Sequence, residues 1–297
     1  VNEYRLLTWN IMRGENLRRV AKKVNEICPD IWLAQEIQPK HRRHLEQKTG
    51  MRCYPAPRTP NSPNDNAIFV REQEHSPLVV KDVFEHPLNG WHPPANLTLV
   101  PAPFVADSGA RSLSIVSHHL CYFSADRRLD ETEWLTTLAK PRWLAFMGGD
   151  FNSYPPANEA PTEETWRELL AREDADLAFY TNRTLISGDR RISDVRPHST
   201  LTSAGFVDVA LWARDRLGQP YAAEPTAGHM NPVRQGGHWR IDWNFASREL
   251  APAIIEVTVG EEAKHISDHL PIVTTLDLDA VLDLMRPAPS TLTGTQA

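Results

Sequence analysis

The chain has 297 residues, 41% hydrophobic and 24% charged, which is ordinary globular composition. Its net charge of −6 argues against a general nucleic-acid coat protein, which needs a basic surface, but leaves room for a local basic groove. Cys28, Cys53 and Cys121 are too scattered for a disulfide framework or a zinc knuckle, and no apolar run reaches the length of a membrane span. A monomer in a reducing, cytoplasmic setting is expected, with a removed leader left open by the missing initiator Met.

Tyr4–Asn10 reads as a strand ending on a polar residue. Leu17, Val20, Ala21, Val24 and Ile27 recur at helical spacing, with Asn16 as N-cap and Pro29 as the stop. Ile31–Gln35 is a second strand, ending on Glu36, and Pro39–Gly50 a polar helix. His41 and His44 share a face of that helix, but the neighbouring arginines make it a solvated basic surface. Residues 55–65 form a loop, and Ala67–Val70 and Val79–Val83 are short strands. His86–Pro103 carries five prolines and reads as an irregular surface loop.

Ser112–Ser117 alternates as a strand that ends on His118-His119-Leu120. A helix follows around Arg127–Trp134. Leu144–Asn152 is the stretch around which the rest is organised: four apolar residues, two glycines, then Asp150 and Asn152. It reads as a buried strand followed by a sharp turn made possible by Gly148 and Gly149. Glu163–Arg172 is helical, and Arg183–Arg196 is the most basic segment, either a solvated loop or one facing phosphate. Phe206–Trp212 reads as a strand, Gly228–Arg240 as a polar loop, and Arg240–Phe245, Ile254–Val259 and Ile272–Leu276 as further strands. Leu282–Met285 adds a helical turn, and the tail 287–297, rich in Pro, Ser and Thr, is expected to be disordered.

Asn10, Glu36, His119, Asp150, Asn152, Asp242, Asp268 and His269 thus gather at strand ends. Their local phrases are Thr-Trp-Asn-Ile, Gln-Glu, Ser-His-His-Leu, Gly-Asp-Phe-Asn, Arg-Ile-Asp-Trp and Ser-Asp-His-Leu-Pro-Ile. In this order they resemble the endonuclease/exonuclease/phosphatase, or DNase I-like, superfamily, over residues 4 to about 276. The resemblance implies an α/β fold: a four-layer α/β/β/α sandwich of two mixed β-sheets flanked by helices, with residues 1–286 as one domain.

It also implies a phosphoesterase using Mg²⁺ or Mn²⁺, because hard dications prefer oxygen ligands. Glu36 would hold the ion with Asn10 beside it and Asp268 nearby. Asp150 would be the base for water, Asn152 would hold the water or phosphate, and His119 and His269 would donate to phosphoryl oxygens. Asp242 would orient His269. His118 stays open as the alternative to His119, which is chosen because it directly precedes Leu120. Met12 and the His-Leu phrase depart from the AP endonuclease pattern and point to the DNase-, sphingomyelinase-, phosphatase- and tyrosyl-DNA-phosphodiesterase-like branch.

Substrate contacts are expected from the loops, with Asn66, Arg196, Arg234 and Trp239 singled out and Trp91 as a further stacking surface. Three functions stay open: a nuclease or phosphodiesterase on DNA or RNA, a hydrolase of a small or lipid-headgroup phosphoester, and a non-catalytic binding module. A zinc site using His265 and His269 is disfavoured, because the two lie in a loop and no Cys-His grouping supports them.

Overall fold

A computed structural model describes residues 2–59, 64–74, 76–85, 91–106, 109–156, 159–230 and 237–287. The first half contains β1 (Glu3–Asn10), α1 (Leu17–Ile27), β2 (Ile31–Ile37), α2 (Arg42–Thr49), β3 (Arg52–Pro55), β4 (Asp65–Val70), β5 (Leu78–Phe84), β6 (Ala95–Pro101), β7 (Leu113–His119), α3 (Ala125–Leu135) and β8 (Leu144–Asp150). The second contains α4 (Glu163–Leu170), α5 (Leu177–Asn182), β9 (Thr184–Ser187), β10 (Arg190–Ser193), α6 (Arg196–Ser203), β11 (Phe206–Asp208), α7 (Val209–Arg216), β12 (Asp242–Ser247), β13 (Ile254–Val259), β14 (Ile272–Asp277) and α8 (Leu278–Met285). Among the described residues no helix is long and apolar enough to cross a membrane.

The strands form two mixed six-stranded sheets, ordered β13-β14-β1-β2-β4-β3 and β11-β12-β8-β7-β6-β5, plus the small hairpin β9-β10. Each large sheet has one parallel pair at its centre, β1 with β2 and β7 with β8, and antiparallel neighbours outside it. Side chains alternate between faces along a strand, so each strand feeds two layers of core. Leu6, Ile31, Leu33, Ile115, Leu144 and Phe146 pack between the sheets. Leu7, Trp9 and Trp32 pack against Val20 and Val24 of α1. On the other side Val116, Met147, Trp243 and Phe245 pack against Leu135 and Leu201. These layers make the α/β/β/α sandwich.

The interface between the sheets is not wholly apolar. Thr8 donates to Asn244 Oδ1 at 2.7 Å, and Asn244 Nδ2 donates to Thr274 at 3.1 Å. Gln35 donates to Ser117 Oγ at 3.0 Å, and Ser117 to the Ala34 carbonyl at 3.1 Å. All five side chains are buried. These bonds satisfy groups that would otherwise be orphaned, and they link named positions of one sheet to named positions of the other.

Several local expectations are corrected. The proline-rich stretch contains β6, buried throughout and paired on both sides with β5 and β7. Its prolines precede the strand or end it, so Ala95–Val100 keeps every donor. Phe206–Trp212 is strand only to Asp208, which then caps α7 by accepting from Ala210 and Leu211. The basic segment is partly the hairpin β9-β10, not a loop. Asn16 precedes α1 without capping it; its amide donates to the Ile266 carbonyl instead.

Gly148 and Gly149 do not make a turn either. Both lie inside β8, where a Cβ at 148 would meet Thr8 Oγ1 at 2.5 Å and one at 149 would meet the His118 carbonyl at 1.8 Å. They are glycine because neighbouring strands come too close for a side chain. The chain departs from extended geometry at Asn152 instead, with φ 49°.

Candidate active site

The topology brings a set of polar side chains to one edge of both sheets. Asn10, Glu36, His119 and Asp150 lie at or near the C-terminal ends of the two central parallel pairs. β12 runs antiparallel to β8, so Asp242 at its start lies opposite Asp150. β14 runs antiparallel to β1, so His269, three residues before its start, comes to the same edge. Asn10, Asp150 and His119 share the parity of Leu6, Phe146 and Ile115, whose side chains face the opposing sheet.

Glu36 has the wrong parity for that face. A register shift between Ala34 and Ile37, with Glu36 at φ 60°, turns its side chain into the cleft. Met12 and Arg13 also have positive φ, at 46° and 57°, and line the same cleft as Glu36 and Asn152. Such conformations are costly for side-chain-bearing residues and gather where function holds them.

The cleft has a volume of about 650 Å³. Asp150 is its hub. Its Oδ2 accepts from Asn10 Nδ2 at 3.2 Å and lies 3.4 Å from His119 Nε2 and 3.6 Å from His269 Nε2. Its Oδ1 accepts from the Asn152 backbone N–H at 2.8 Å. Burial by itself would raise this carboxyl, but His269, His119 and Arg183 outweigh it and hold it below the usual range. Asn10 Nδ2 also lies 3.3 Å from Glu36 Oε1.

His269 Nδ1 lies 2.8 Å from Asp242 Oδ2, and Thr226 donates to that same oxygen at 2.7 Å. Burial disfavours the charged ring, yet the carboxylates of Asp242, Asp150 and Asp268 raise His269 well above the ordinary histidine value. The ring sits between two acids, Asp242 at Nδ1 and Asp150 at Nε2, which favour its charged form.

The two adjacent histidines of β7 go separate ways. His119 lines the cleft and stacks on His92, with ring centroids 4.5 Å apart and 12° between planes. His118 faces the helical layer, edge-on to Phe151, and burial pushes it down to about 3. His92, also buried, is held near 3 by burial and by His119.

Among the described residues, Asp150, Asp242 and His269 are the set of metal-ligand types whose donor atoms lie within 4.8 Å, and they are compatible with a divalent cation. Both ring nitrogens of His269 already face carboxylates, so a proton suits that set as well. Glu36 and Asp268 open on the cleft with oxygen donors only, the ligand chemistry of a hard cation.

The expected substrate residues do not gather there. Asn66 is 1% exposed and donates to the Pro93 carbonyl at 2.9 Å, which ties down the His92 segment. Arg196 opens α6 and is neutralised by Asp194 and Asp126 at 2.8 and 3.1 Å. Trp239 packs edge-on to Tyr154 and pairs through its backbone with Ala227. Arg234 lies outside the described residues. The cleft walls instead carry Trp91, His92, Tyr122, Phe179 and Arg183. Of these, Trp91 was legible as an aromatic in a polar segment, and Phe179 with Arg183 as a ring and a cation four residues apart.

A family model described as the endonuclease/exonuclease/phosphatase family matches residues 7–269. The chain belongs to that family. The match runs from β1 to His269 and so includes every strand end that builds the cleft. Solved structures agree on the fold. An AP endonuclease from Archaeoglobus fulgidus has a TM-score of 0.62 at 18% identity, covering 92% of this chain and 99% of that one. A truncated Caenorhabditis elegans TDP2 has 0.57 at 17%, covering 92% and 97%. ANGEL2, a 2′,3′-cyclic phosphatase, has 0.55 at 16%, covering 92% and 94%. No curated protein sequence matches. Members of this family hydrolyse phosphoester bonds, and this chain is a phosphoesterase of that kind.

Proposed function

We propose that this family member is a phosphodiesterase acting on DNA or RNA, by in-line attack of water without a covalent enzyme intermediate. The observation that carries the reading is the convergence on one carboxylate, Asp150, of Asn10, His119 and the His269–Asp242 pair. An acid held ionised among imidazoles is a base poised beside proton donors.

In this reading Asp150 takes the proton from water. His269 donates to a non-bridging oxygen, and Asp242 fixes its ring by accepting at Nδ1. His119 supplies a second donor, with His92 stacked against its face. Glu36 and Asp268, with Asn10 alongside, would hold Mg²⁺ or Mn²⁺. When bound, such an ion polarises a phosphoryl oxygen and offsets the charge that repels water. The Asn152 amide donates to the Leu120 carbonyl at 3.0 Å and accepts from Arg183, so its part is to orient Arg183.

Single-stranded DNA, duplex DNA, RNA and bis-p-nitrophenyl phosphate should be assayed with Mg²⁺, with Mn²⁺ and with EDTA. Turnover of the bis-p-nitrophenyl ester and at least one nucleic acid, lost in EDTA, is the expected result. Hydrolysis undiminished by EDTA sinks the cation assignment, and no turnover of any of the four sinks the phosphodiesterase.

A further inference from the structure

The stretch from the end of α5 to the first residue of α6 carries Arg183, Arg190, Arg191 and Arg196, and of these only Arg183 lines the cleft. Arg190 is exposed, Arg191 donates to Thr184 Oγ1 at 2.7 Å, and Arg196 pairs with Asp194. Arg183 differs. It is 8% exposed and lines the cleft beside Asp150, Asn152 and Phe179. Its guanidinium lies 4.0 Å over the Phe179 ring, and Nη2 donates to Asn152 Oδ1. Its Nε is buried without a hydrogen-bond partner.

The neighbouring Arg128 shows what a structural arginine looks like in this chain. It is fully buried, paired with Asp194 at 3.1 Å, and donates to the carbonyls of Cys121 and Asn182 at 2.9 Å. Arg183 is instead held by Asn152 Oδ1 and the Phe179 ring, and its charge acts on Asp150 and Tyr154. The Nε of Arg128 is likewise unpartnered, so what sets Arg183 apart is its place: a guanidinium that cannot shed its proton, on the cleft wall beside Asp150, where an anion in the cleft can reach it.

We infer that Arg183 is a substrate-binding residue that grips the phosphoryl group, its planar fork meeting non-bridging oxygens while Phe179 fixes its plane and Asn152 its rotation. The ligand class is a phosphodiester or the phosphomonoester left after its cleavage, for which inorganic phosphate serves as the probe. This deepens the phosphoesterase reading of the same cleft and rests on it. It also assigns a contact to α5 and the residue that follows it, beyond the strand-end residues.

The test uses the full chain. Inorganic phosphate is titrated calorimetrically into wild type, Arg183→Gln and Arg183→Lys in EDTA, and the same proteins are assayed on bis-p-nitrophenyl phosphate with Mg²⁺. Phosphate affinity should fall about tenfold or more in Arg183→Gln and less in Arg183→Lys, which keeps charge but loses the fork. KM should rise in the same order, with melting temperatures monitored for folding. If Arg183→Gln fails to fold, Arg183→Lys and Phe179→Leu carry the test through the same two readouts.

Unchanged phosphate affinity and KM in folded variants overturn the inference, as does a wild type that does not bind phosphate at millimolar concentration. If wild type hydrolyses the ester but phosphate binding ignores Arg183, only this inference falls. If phosphate binding depends on Arg183 but wild type turns over no phosphoester, the anion site stands and the phosphodiesterase reading falls.

Discussion

Among the described residues two buried histidine–aspartate pairs have nearly equal geometry, and their surroundings give them opposite characters. His269 and Asp242 meet at 2.8 Å, and so do His198 and Asp208. Asp208 also accepts from Arg240 Nη1 at 2.9 Å and from two backbone N–H groups at the start of α7. The His198 ring packs against Trp243 and Phe245. Every strong bond there is internal, and the pair ties α6, β11 and β12 together. Asp242 is less crowded by donors, and the second nitrogen of its histidine faces another acid, Asp150, 3.6 Å away on the cleft wall. What a pair faces, rather than the pair itself, decides whether it supports the fold or serves chemistry.

The comparison breaks most readily at Asp150. Asp150→Asn should lower kcat by about 10³-fold or more while the melting temperature stays close to wild type. Full activity in that variant would remove the base from the mechanism. His269→Ala should cost about 10²- to 10⁴-fold in kcat/KM with the fold retained. His198→Ala should do the reverse, costing about 2–3 kcal/mol in denaturant stability by leaving Asp208 short of a partner, with kcat unchanged in the folded protein. If His198→Ala loses turnover while stability holds, the contrast fails.

Acid sharpens it further. Burial would raise Asp208, but the Arg240 guanidinium and the His198 hydrogen bond outweigh burial and set its folded pKa well below the ordinary range. A depressed carboxylate contributes stability that is present above its unfolded pKa. That stability is lost as pH falls through the ordinary range toward the folded value. Asp208→Asn should therefore be less stable at neutral pH and show a shallower loss of stability on acidification. An acid limb identical to wild type would discard the assignment. The smallest effect belongs to Thr226→Val, which removes one donor from Asp242 and should cost about 1 kcal/mol in stability with a modest fall in kcat.

Much of the site was legible because strand ends advertise themselves. Apolar runs ending on Asn10, Asp150 and His119 place those residues at an edge, and the period of two explains why His119 and not His118 reaches the cleft. Glu36 was legible as a strand-end acid but not as a bulged one, since a local break in register depends on the partner strand β4. The two glycines of β8 were visible, yet their reason was not. Crowding by Thr8 and the His118 carbonyl is a contact between distant segments. β6 was hidden because prolines at both borders of a strand look, in sequence, like prolines within a loop. Arg196 and Arg183 could not be told apart locally, because only the folded chain shows which of them Asp194 and Asp126 neutralise.

The polar links between the sheets carry one more consequence. Asn10 and Glu36 ride on one sheet, Asp150, His119 and Asp242 on the other, so alignment of the groups proposed for catalysis is a matter of how two slabs index against each other. Oily contacts would let those slabs slip by fractions of an ångström at little cost, whereas the Thr8–Asn244–Thr274 and Gln35–Ser117 bonds act as dowels that permit a single seating. Trading the dowels for grease-like residues would leave a sturdy protein whose machinery no longer meshes.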